Sequence, residues 1–275
     1  MTPDEFEMAC AGYLNSVYSK DGIVFRPCGG SDSFAPDIVV EQNGMVIAQM
    51  EVKMPEAQCG QFVVFPNHKN KSFYYSPANH PAQASEASLA IISEMNKNFE
   101  KYKKPSPKEM GLDTELYYNR VVDYYLNYKK CGFFITRETP DSGEFIIFPT
   151  IKFRDYFSIS ACYRKKRSGS HNPSPDETNV ATSLLSSQLG LTVDRVIRVR
   201  ENGKTYTDLV IPNASEPLYK IETPTRLQVR KQTATGRYRL TMLATTENPN
   251  VIFSIRLTSG QDPEDLNVFK RSLSL

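Results

Sequence analysis

Apolar positions recur along this chain with two different periods, and the changes of period mark its organisation. Residues 3–19 carry Phe6, Ala9, Cys10, Tyr13, Leu14 and Val17 at helical spacing, with Thr2 or Asp4 available as the cap. Ile38-Val39-Val40 and Met45 to Val52 predict two strands joined by a turn at Gln42-Asn43-Gly44. Pro66 to Pro81 is irregular. Ser85 to Tyr102 and Thr114 to Tyr128 return to the helical period, with Pro105-Ser106-Pro107 as a connector. Phe133 to Arg137 and Glu144 to Phe148 alternate like a hairpin around Pro140-Asp141-Ser142-Gly143. Ser168 to Asp176 reads as a loop, Thr178 to Leu189 as a short helix stopped by Gly190, and 191–258 mostly as strand. Helices and strands alternate first and strands dominate later, which predicts an α/β core with an added β-rich part.

The composition fits a folded chain. Of 275 residues, 40% are hydrophobic, and 15 Phe and 15 Tyr supply core volume. The apolar runs, such as Val251-Ile252-Phe253, are far too short to span a bilayer. Asp4, Glu5 and Glu7 stand where a signal peptide needs positive charge, so a soluble, intracellular protein without a membrane partner is expected. The five cysteines (Cys10, Cys28, Cys59, Cys131, Cys162) form no CxxC pair, and the three histidines have no metal-ligand spacing. A disulfide framework, a zinc site and histidine-metal chemistry are therefore disfavoured.

Charge is distributed unevenly. Residues 1–60 hold nine acids against three basic residues, and 191–240 hold ten basic residues against five acids. An acidic front and a basic back point to a cation site in one part and a polyanion surface in the other.

The sharpest chemical signal is Pro36-Asp37 followed by Glu51-Val52-Lys53. Residues two apart on a strand share a face, so Glu51 and Lys53 point the same way. Whether Asp37 joins them depends on the turn. A two-residue Asn43-Gly44 loop would pair Asp37 with Met50 and send it to the opposite face. A three-residue loop with Gly44 left-handed, or an odd-length equivalent, pairs Asp37 with Gln49 and brings Asp37, Glu51 and Lys53 together; that loop is the expectation. Two carboxylates suit a hard divalent cation, most naturally Mg²⁺, through oxygen ligands. The cation activates water and offsets charge growing on a phosphate, while an adjacent ammonium orients the water. The bland alternative is a solvated strand face. Against it, Glu51 and Lys53 end an otherwise apolar strand, Met45-Val46-Ile47-Ala48, closed by Pro55.

Longer ordered runs add to this trio: Met54-Pro55, Gln58-Cys59-Gly60-Gln61-Phe62-Val63, Pro66-Asn67, Tyr75-Ser76-Pro77 and Asn79. They continue with Phe133-Phe134-Ile135-Thr136, Phe145-Ile146-Ile147-Phe148-Pro149, Tyr156-Phe157, Tyr163-Arg164, Lys166, Ser168-Gly169-Ser170 and Asn250-Val251-Ile252-Phe253-Ser254-Ile255. Even the first helix agrees, in Glu5-Phe6-Glu7 and Tyr13-Leu14-Asn15. Together these runs make the chain resemble the PD-(D/E)XK nucleases, and within them the type II restriction endonucleases that cut GCGC. The likeness covers about 1–171 and 248–275 and leaves 172–247 divergent. The Asp-to-Glu spacing is longer here by an even number of residues, which preserves strand-face parity.

The resemblance implies a PD-(D/E)XK mixed-sheet core with helices on its faces, a DNA-recognition region and an added β-rich DNA-binding domain. The corresponding segments are 1–130 (catalytic), 131–172 with 248–275 (sequence recognition) and 173–247 (non-specific DNA contact). It implies Mg²⁺-dependent hydrolysis of double-stranded DNA by a monomer that nicks the strands in turn. A cognate DNA methyltransferase would be its functional partner, in a bacterial cytoplasm. Asp37, Glu51 and Lys53 become catalytic and Asp37 and Glu51 metal-binding, with Glu5 or Glu7 a lesser candidate through water. Gln58 and Gln61 become candidates to touch the scissile region, against the alternative of a helix start packing there.

The resemblance assigns DNA contact to Tyr163 and base reading to Arg164, Lys165, Lys166, Arg167, Ser168, Gly169 and Ser170, where Arg and Lys match guanine O6 and N7 in the major groove; the residues alone favour a solvated loop that touches only phosphate. Arg198 and Arg200, Arg226 and Arg230, and Arg237 and Arg239 alternate with apolar residues on three strands. That predicts a sheet with one buried face and one cationic face offered to phosphates. Two other readings keep parts of this pattern: a non-specific or structure-specific repair nuclease with the same trio, and a DNA-binding protein whose carboxylates are structural.

Overall fold

A computed structural model describes residues 1–28, 35–76, 84–166, 169–201, 204–232, 235–244 and 247–274. The helices are α1 (Pro3–Tyr18), α2 (Glu86–Lys97), α3 (Phe99–Tyr102), α4 (Thr114–Asp123), α5 (Phe153–Tyr156), α6 (Pro175–Leu189) and α7 (Pro263–Ser272). The strands begin with β1 (Ile23–Pro27), β2 (Ile38–Gln42), β3 (Met45–Val52), β4 (Glu56–Asn67), β5 (Ser72–Tyr75), β6 (Phe133–Arg137), β7 (Phe145–Pro149) and β8 (Phe157–Lys165). They continue with β9 (Gly169–His171), β10 (Arg195–Glu201), β11 (Lys204–Val210), β12 (Leu218–Ile221), β13 (Leu227–Lys231), β14 (Tyr238–Ala244) and β15 (Pro249–Leu257).

The chain divides into two compact units, Met1–Arg164 with Pro249–Leu275, and Lys165–Asn248. The segment expected to be β-rich, 173–247, lies inside the second unit. Residues 1–130 and most of the expected recognition region lie in the first. Among the described residues no helix is long and apolar enough to cross a membrane.

In the first unit a five-stranded sheet runs β1-β2-β3-β6-β7, with β3 and β6 parallel and the other neighbours antiparallel. One face packs against α1 and α7: Phe6, Cys10 and Leu14 meet Ile38, Val40, Met50, Val52, Ile135 and Phe269. The other face carries Phe134 and Phe148 into a second core with Tyr117, Val121, Tyr125, Phe153 and Phe253. Glu51, between Met50 and Val52, therefore points into this second side. A four-stranded sheet, β5-β4-β15-β8, backs it. Helix α1 starts at Thr2, which closes a reciprocal capping box with Glu5.

The β2–β3 hairpin departs from the expected loop and still gives the expected face. Asn43 (φ 52°) and Gly44 (φ 82°) form a two-residue turn, with Gln42 opposite Met45. On that turn alone Asp37 would face away from Lys53. A bulge then shifts the register, so that Val40 pairs with Ala48 and Ile38 with Met50. The extra residue restores parity and sets Asp37 beside Glu51. The three-residue loop is thus corrected to a two-residue turn plus one bulged residue.

Other elements also differ from the sequence reading. Gln58 and Gln61 begin no helix; they lie on the twelve-residue strand β4. A bulge there sets Gln58 opposite Ser254 and Gln61 opposite Ile252, with Gly60 at φ 99° between them. Two glutamines three apart thereby share a face that an unbroken strand would have divided. Residues 124–128 form a π-helical turn rather than the end of an α-helix. Helix α6 begins three residues earlier than expected, because Ser174 and Glu177 form a capping box and Pro175 occupies the first turn.

The second unit is a sheet in the order β10-β11-β14-β13-β12, with β9 added beside β14. Ala181 and Leu185 of α6 pack on Leu209, Leu227, Val229, Leu240 and Met242. On β13 and β14 the arginines alternate with these buried residues as expected. On β10 they do not. Arg198 pairs with Thr207, Thr207 with Leu240, and Leu240 with Val229. Arg198 and Arg200 therefore lie on the α6 side of the sheet, opposite Arg230 and Arg239. The cationic face expected from three strands is built by two.

Candidate active site

Asp37, Glu51 and Lys53 come together at the ends of β2 and β3. The Lys53 Nζ hydrogen-bonds Glu51 Oε1 and lies 3.7 Å from Asp37 Oδ2. It also donates to the Val52 carbonyl at 3.0 Å. The Val52 N–H donates to Asp37 Oδ2 at 2.9 Å, which fixes that carboxylate against the strand. Glu51 is 2% exposed. The strand end is itself pinned, since the Lys53 N–H donates to Ile135 O of the parallel neighbour at 3.1 Å.

A second lysine completes the cluster, and sequence reasoning missed it. Lys129 Nζ lies 2.5 Å from Glu51 Oε2 and 3.7 Å from Asp37 Oδ1. It follows the π-helical turn, its N–H donating to Tyr124 O at 3.0 Å. The Cys131 N–H donates to Tyr125 O, and the Gly132 N–H to Gln49 O on β3. These bonds bring the turn against the active strand. Lys129 stands 78 residues from Glu51, so no local spacing in the sequence could have announced it. The Tyr125 ring lies beside both ammonium groups, at 5.3 Å from Lys53 and 5.5 Å from Lys129.

Electrostatics follow from burial and from this pairing. Burial pushes the Glu51 carboxyl up, with Lys53 and Lys129 opposing. Burial disfavours the Lys53 ammonium, but Glu51 and Asp37 outweigh it and hold its pKa above the ordinary lysine value. Glu7, half-buried on α1, is raised to about 7, first by burial and then by the charges of Asp37, Asp4 and Glu51. Its carboxyl thus feels the cluster, whereas Glu5 is exposed and committed to the Thr2 cap. Cys59 and Cys131 border the site, and burial lifts both thiols to about 12, which removes them as nucleophiles.

The donor set bears on a metal. Among the described residues no three His, Cys, Asp or Glu side chains gather tightly enough to hold an ion by themselves. Two carboxylates and the Val52 carbonyl do converge on one cation, the Lys53 ammonium. Hard oxygens already gathered around a positive charge fit a magnesium ion, which takes one or two carboxylates and fills its other positions with water and phosphate.

The remaining candidates separate. Tyr163 is 2% exposed, its hydroxyl donates to Val64 O at 2.9 Å, and its ring meets Phe73 edge-on. It is a core residue, and its expected place on a DNA-reading surface is corrected. Gln58 is exposed and Gln61 half-buried. Arg164 is half-buried. Lys165 is exposed and pairs with Glu247 at 2.8 Å. The Lys166 backbone pairs with Asn248 and Glu247. Gly169 and Ser170 lie on β9 opposite Ala244 and Leu243. Arg167 and Ser168 lie outside the described residues.

Among the arginines, Arg198 donates to Pro173 O at 2.9 Å, Thr207 Oγ1 at 2.5 Å and Thr178 Oγ1 at 3.3 Å. Its guanidinium ties α6 to the sheet, while the residue as a whole remains exposed. Arg239 is held by Glu201 at 2.9 and 3.0 Å and by Asp208 at 2.9 Å, with its guanidinium 4.2 Å from the Tyr206 ring centre. Arg226 is exposed and paired with Glu222 at 3.0 Å. Arg230 is half-buried on the sheet face turned from α6, and Arg237, also half-buried, directly precedes β14.

No protein-family model matches the chain, and no curated protein matches it significantly. A solved structure does: HhaI endonuclease in complex with DNA, at 30% sequence identity and a TM-score of 0.70, with 100% of both chains covered.

Proposed function

The chain belongs to the HhaI-like restriction endonucleases, and from that premise we propose a magnesium-dependent enzyme of the PD-(D/E)XK type that cleaves double-stranded DNA at GCGC. The observation that carries the chemistry is the buried meeting of Asp37, Glu51 and Lys53 on one face of a hairpin. Asp37, Glu51 and the Val52 carbonyl would hold the magnesium ion. Once bound, the ion supplies a Lewis acid and lowers the pKa of water.

The chain's own residues do the rest. Asp37 is aimed by the Val52 N–H and Glu51 by its buried surroundings. Lys53, held charged, orients a water for in-line attack on phosphorus and stabilises negative charge on the phosphoryl oxygens. The water oxygen forms the new P–O bond and gives up a proton to solvent, while the bond to the leaving oxygen breaks and that oxygen takes a proton from solvent to leave as the hydroxyl. Cys59, Cys131 and Tyr125, all buried, keep bulk water from the back of the site.

Specificity is assigned to Arg164, Lys165, Lys166, Arg167, Ser168, Gly169 and Ser170, with Gln58 and Gln61 near the scissile region. Arg226, Arg230 and Arg237 contact phosphates in the second unit. The enzyme acts as a monomer with one site, nicks the strands in turn, and works beside a methyltransferase that protects GCGC in a bacterial cytoplasm.

Digestion of a plasmid in Mg²⁺, with the fragment ends mapped, tests this reading. Discrete fragments ending within GCGC are expected, with nicked circles appearing before linear DNA. A smear would point to a non-specific nuclease. Intact plasmid with retained DNA binding would point to a non-catalytic binder.

A further inference from the structure

We propose that Lys129 is a resident counter-cation that neutralises the carboxylate pair and so opposes the entry of a divalent ion, with the result that DNA and ion bind cooperatively. The inference rests on the reading of Asp37 and Glu51 as the carboxylates that receive the ion. Two carboxylates and two ammonium groups form a closed set. Lys53 reaches Glu51 Oε1 and Asp37 Oδ2, and Lys129 reaches the other oxygen of each, Glu51 Oε2 and Asp37 Oδ1. Every carboxylate oxygen thus faces an ammonium, and the cluster is formally neutral before any ion arrives.

Lys129 is 7% exposed, and its backbone is fixed by the bonds that tie residues 129–132 to Tyr124, Tyr125 and Gln49. Among the described residues it forms ion pairs with Glu51 and Asp37 alone. Its side chain is therefore built to serve this pair.

A divalent ion entering a neutral, buried cluster leaves an excess of two positive charges, which a low-dielectric surrounding opposes. Either an ammonium leaves its carboxylate or new negative charge arrives. A DNA phosphate supplies that charge and gives the released ammonium a partner. Ion binding without DNA is then weak by construction, and it strengthens when phosphate is present. Lys53 is needed beside the attacked phosphate, which leaves Lys129 as the group whose removal affects ion binding most cleanly.

The test titrates Mn²⁺ into DNA-free protein by calorimetry, for the wild type, Lys129→Met and Lys129→Gln. Both variants are expected to bind Mn²⁺ more tightly than the wild type, by about tenfold or more, because the competing charge is gone. In chelator they melt at a lower temperature than the wild type, and saturating Mn²⁺ raises their melting temperature by more than it raises the wild type's. A lysine that only props the site open would give the reverse, unchanged or weaker Mn²⁺ binding, and that result overturns the proposal. Lys129→Gln, which keeps a hydrogen-bonding group without the charge, is read the same way should Lys129→Met not fold. Glu51→Gln separates the counter-cation role from the site on which it depends. If it leaves wild-type Mn²⁺ binding untouched and the wild type cuts no DNA, the site reading itself fails. If the wild type cuts and Lys129→Met binds Mn²⁺ no better, the counter-cation role alone fails.

Discussion

Lys53 reaches three oxygens, of Glu51, Asp37 and Val52, that would otherwise face one another. Its removal leaves Glu51 still paired with Lys129, so the fold retains a counter-ion while the chemistry loses its ammonium. Lys53→Ala is expected to lower cleavage by about a thousandfold or more, as for loss of a transition-state donor, with cognate binding changed only a few-fold. Gel-shift affinity and single-turnover cleavage measured on the same duplex check this, and undiminished cutting would refute the mechanism. Glu7 offers a second test at this scale. Its folded pKa is raised from 4.5 to about 7, so the folded state holds the proton more tightly than the unfolded chain does. The ionised carboxyl therefore costs stability, a cost absent below the unfolded value and complete above about 7. In ion-free buffer Glu7→Gln should exceed the wild type in stability by about 1–2 kcal/mol at pH 8, allowing for solvent screening of a half-buried group. The gap should close by pH 5. Denaturant titrations across that range decide it, and a gap independent of pH would place Glu7 outside the cluster's field.

Elements with a single clean period were legible in the sequence, and those with an interruption were not. Helix α1 and the two strands β2 and β3 follow directly from apolar spacing, whereas the turn between them is the two-residue Asn43-Gly44 and not the three-residue loop expected. What carries Asp37 to the correct face is one bulged residue, and a bulge leaves no mark in an apolar run such as Met45-Val46-Ile47. Strand β4 was hidden for the same reason: the bulge at Gly60 breaks its alternation and mimics a helix start. The π-helical turn that delivers Lys129 looks in sequence like the continuation of α4. On β10 both faces carry plausible residues, so alternation alone could not tell which side α6 covers; the register with Thr207 and Leu240 does. Arg198→Ala should accordingly act on stability before it acts on DNA. Thr207, fully buried, and the Pro173 carbonyl each lose a donor, a cost of about 1–3 kcal/mol. Hydrogen exchange should show the loss concentrated at α6 and β10–β11. A stable variant with weakened DNA binding would return Arg198 to the phosphate-contacting set.

Across the whole molecule, the charge asymmetry visible in the sequence follows the division of the fold. The unit Lys165–Asn248 holds 13 basic and 8 acidic residues, a net of +5, and the remainder holds 20 and 23, a net of −3. The chain leaves the first unit after β8 and returns as β15 to pair with β4, so a basic module is inserted between two strands of an acidic one. Net charge attracts DNA, and carboxylates held against a particular cation reduce what that cation offers a phosphate. Arg239 is matched by Glu201 and by Asp208, itself 1% exposed, so little of its charge is left for a phosphate. Arg230 is half-buried on β13, on the face it shares with Arg239, and Arg237, also half-buried, directly precedes β14. Replacing both by Ala should weaken binding to all sequences alike and make the slope of log K against log salt shallower by about 2, near 0.9 for each phosphate no longer neutralised. Arg239→Ala should leave that slope nearly unchanged and lower the melting temperature instead, because Asp208 is left buried without its counter-ion. Fluorescence anisotropy with cognate and non-cognate duplexes over a salt series separates the two classes. If Arg239→Ala carried the larger change in slope, the basic unit would hold DNA through its doubly paired arginine, and local pairing would be a poorer guide to its binding face than net charge.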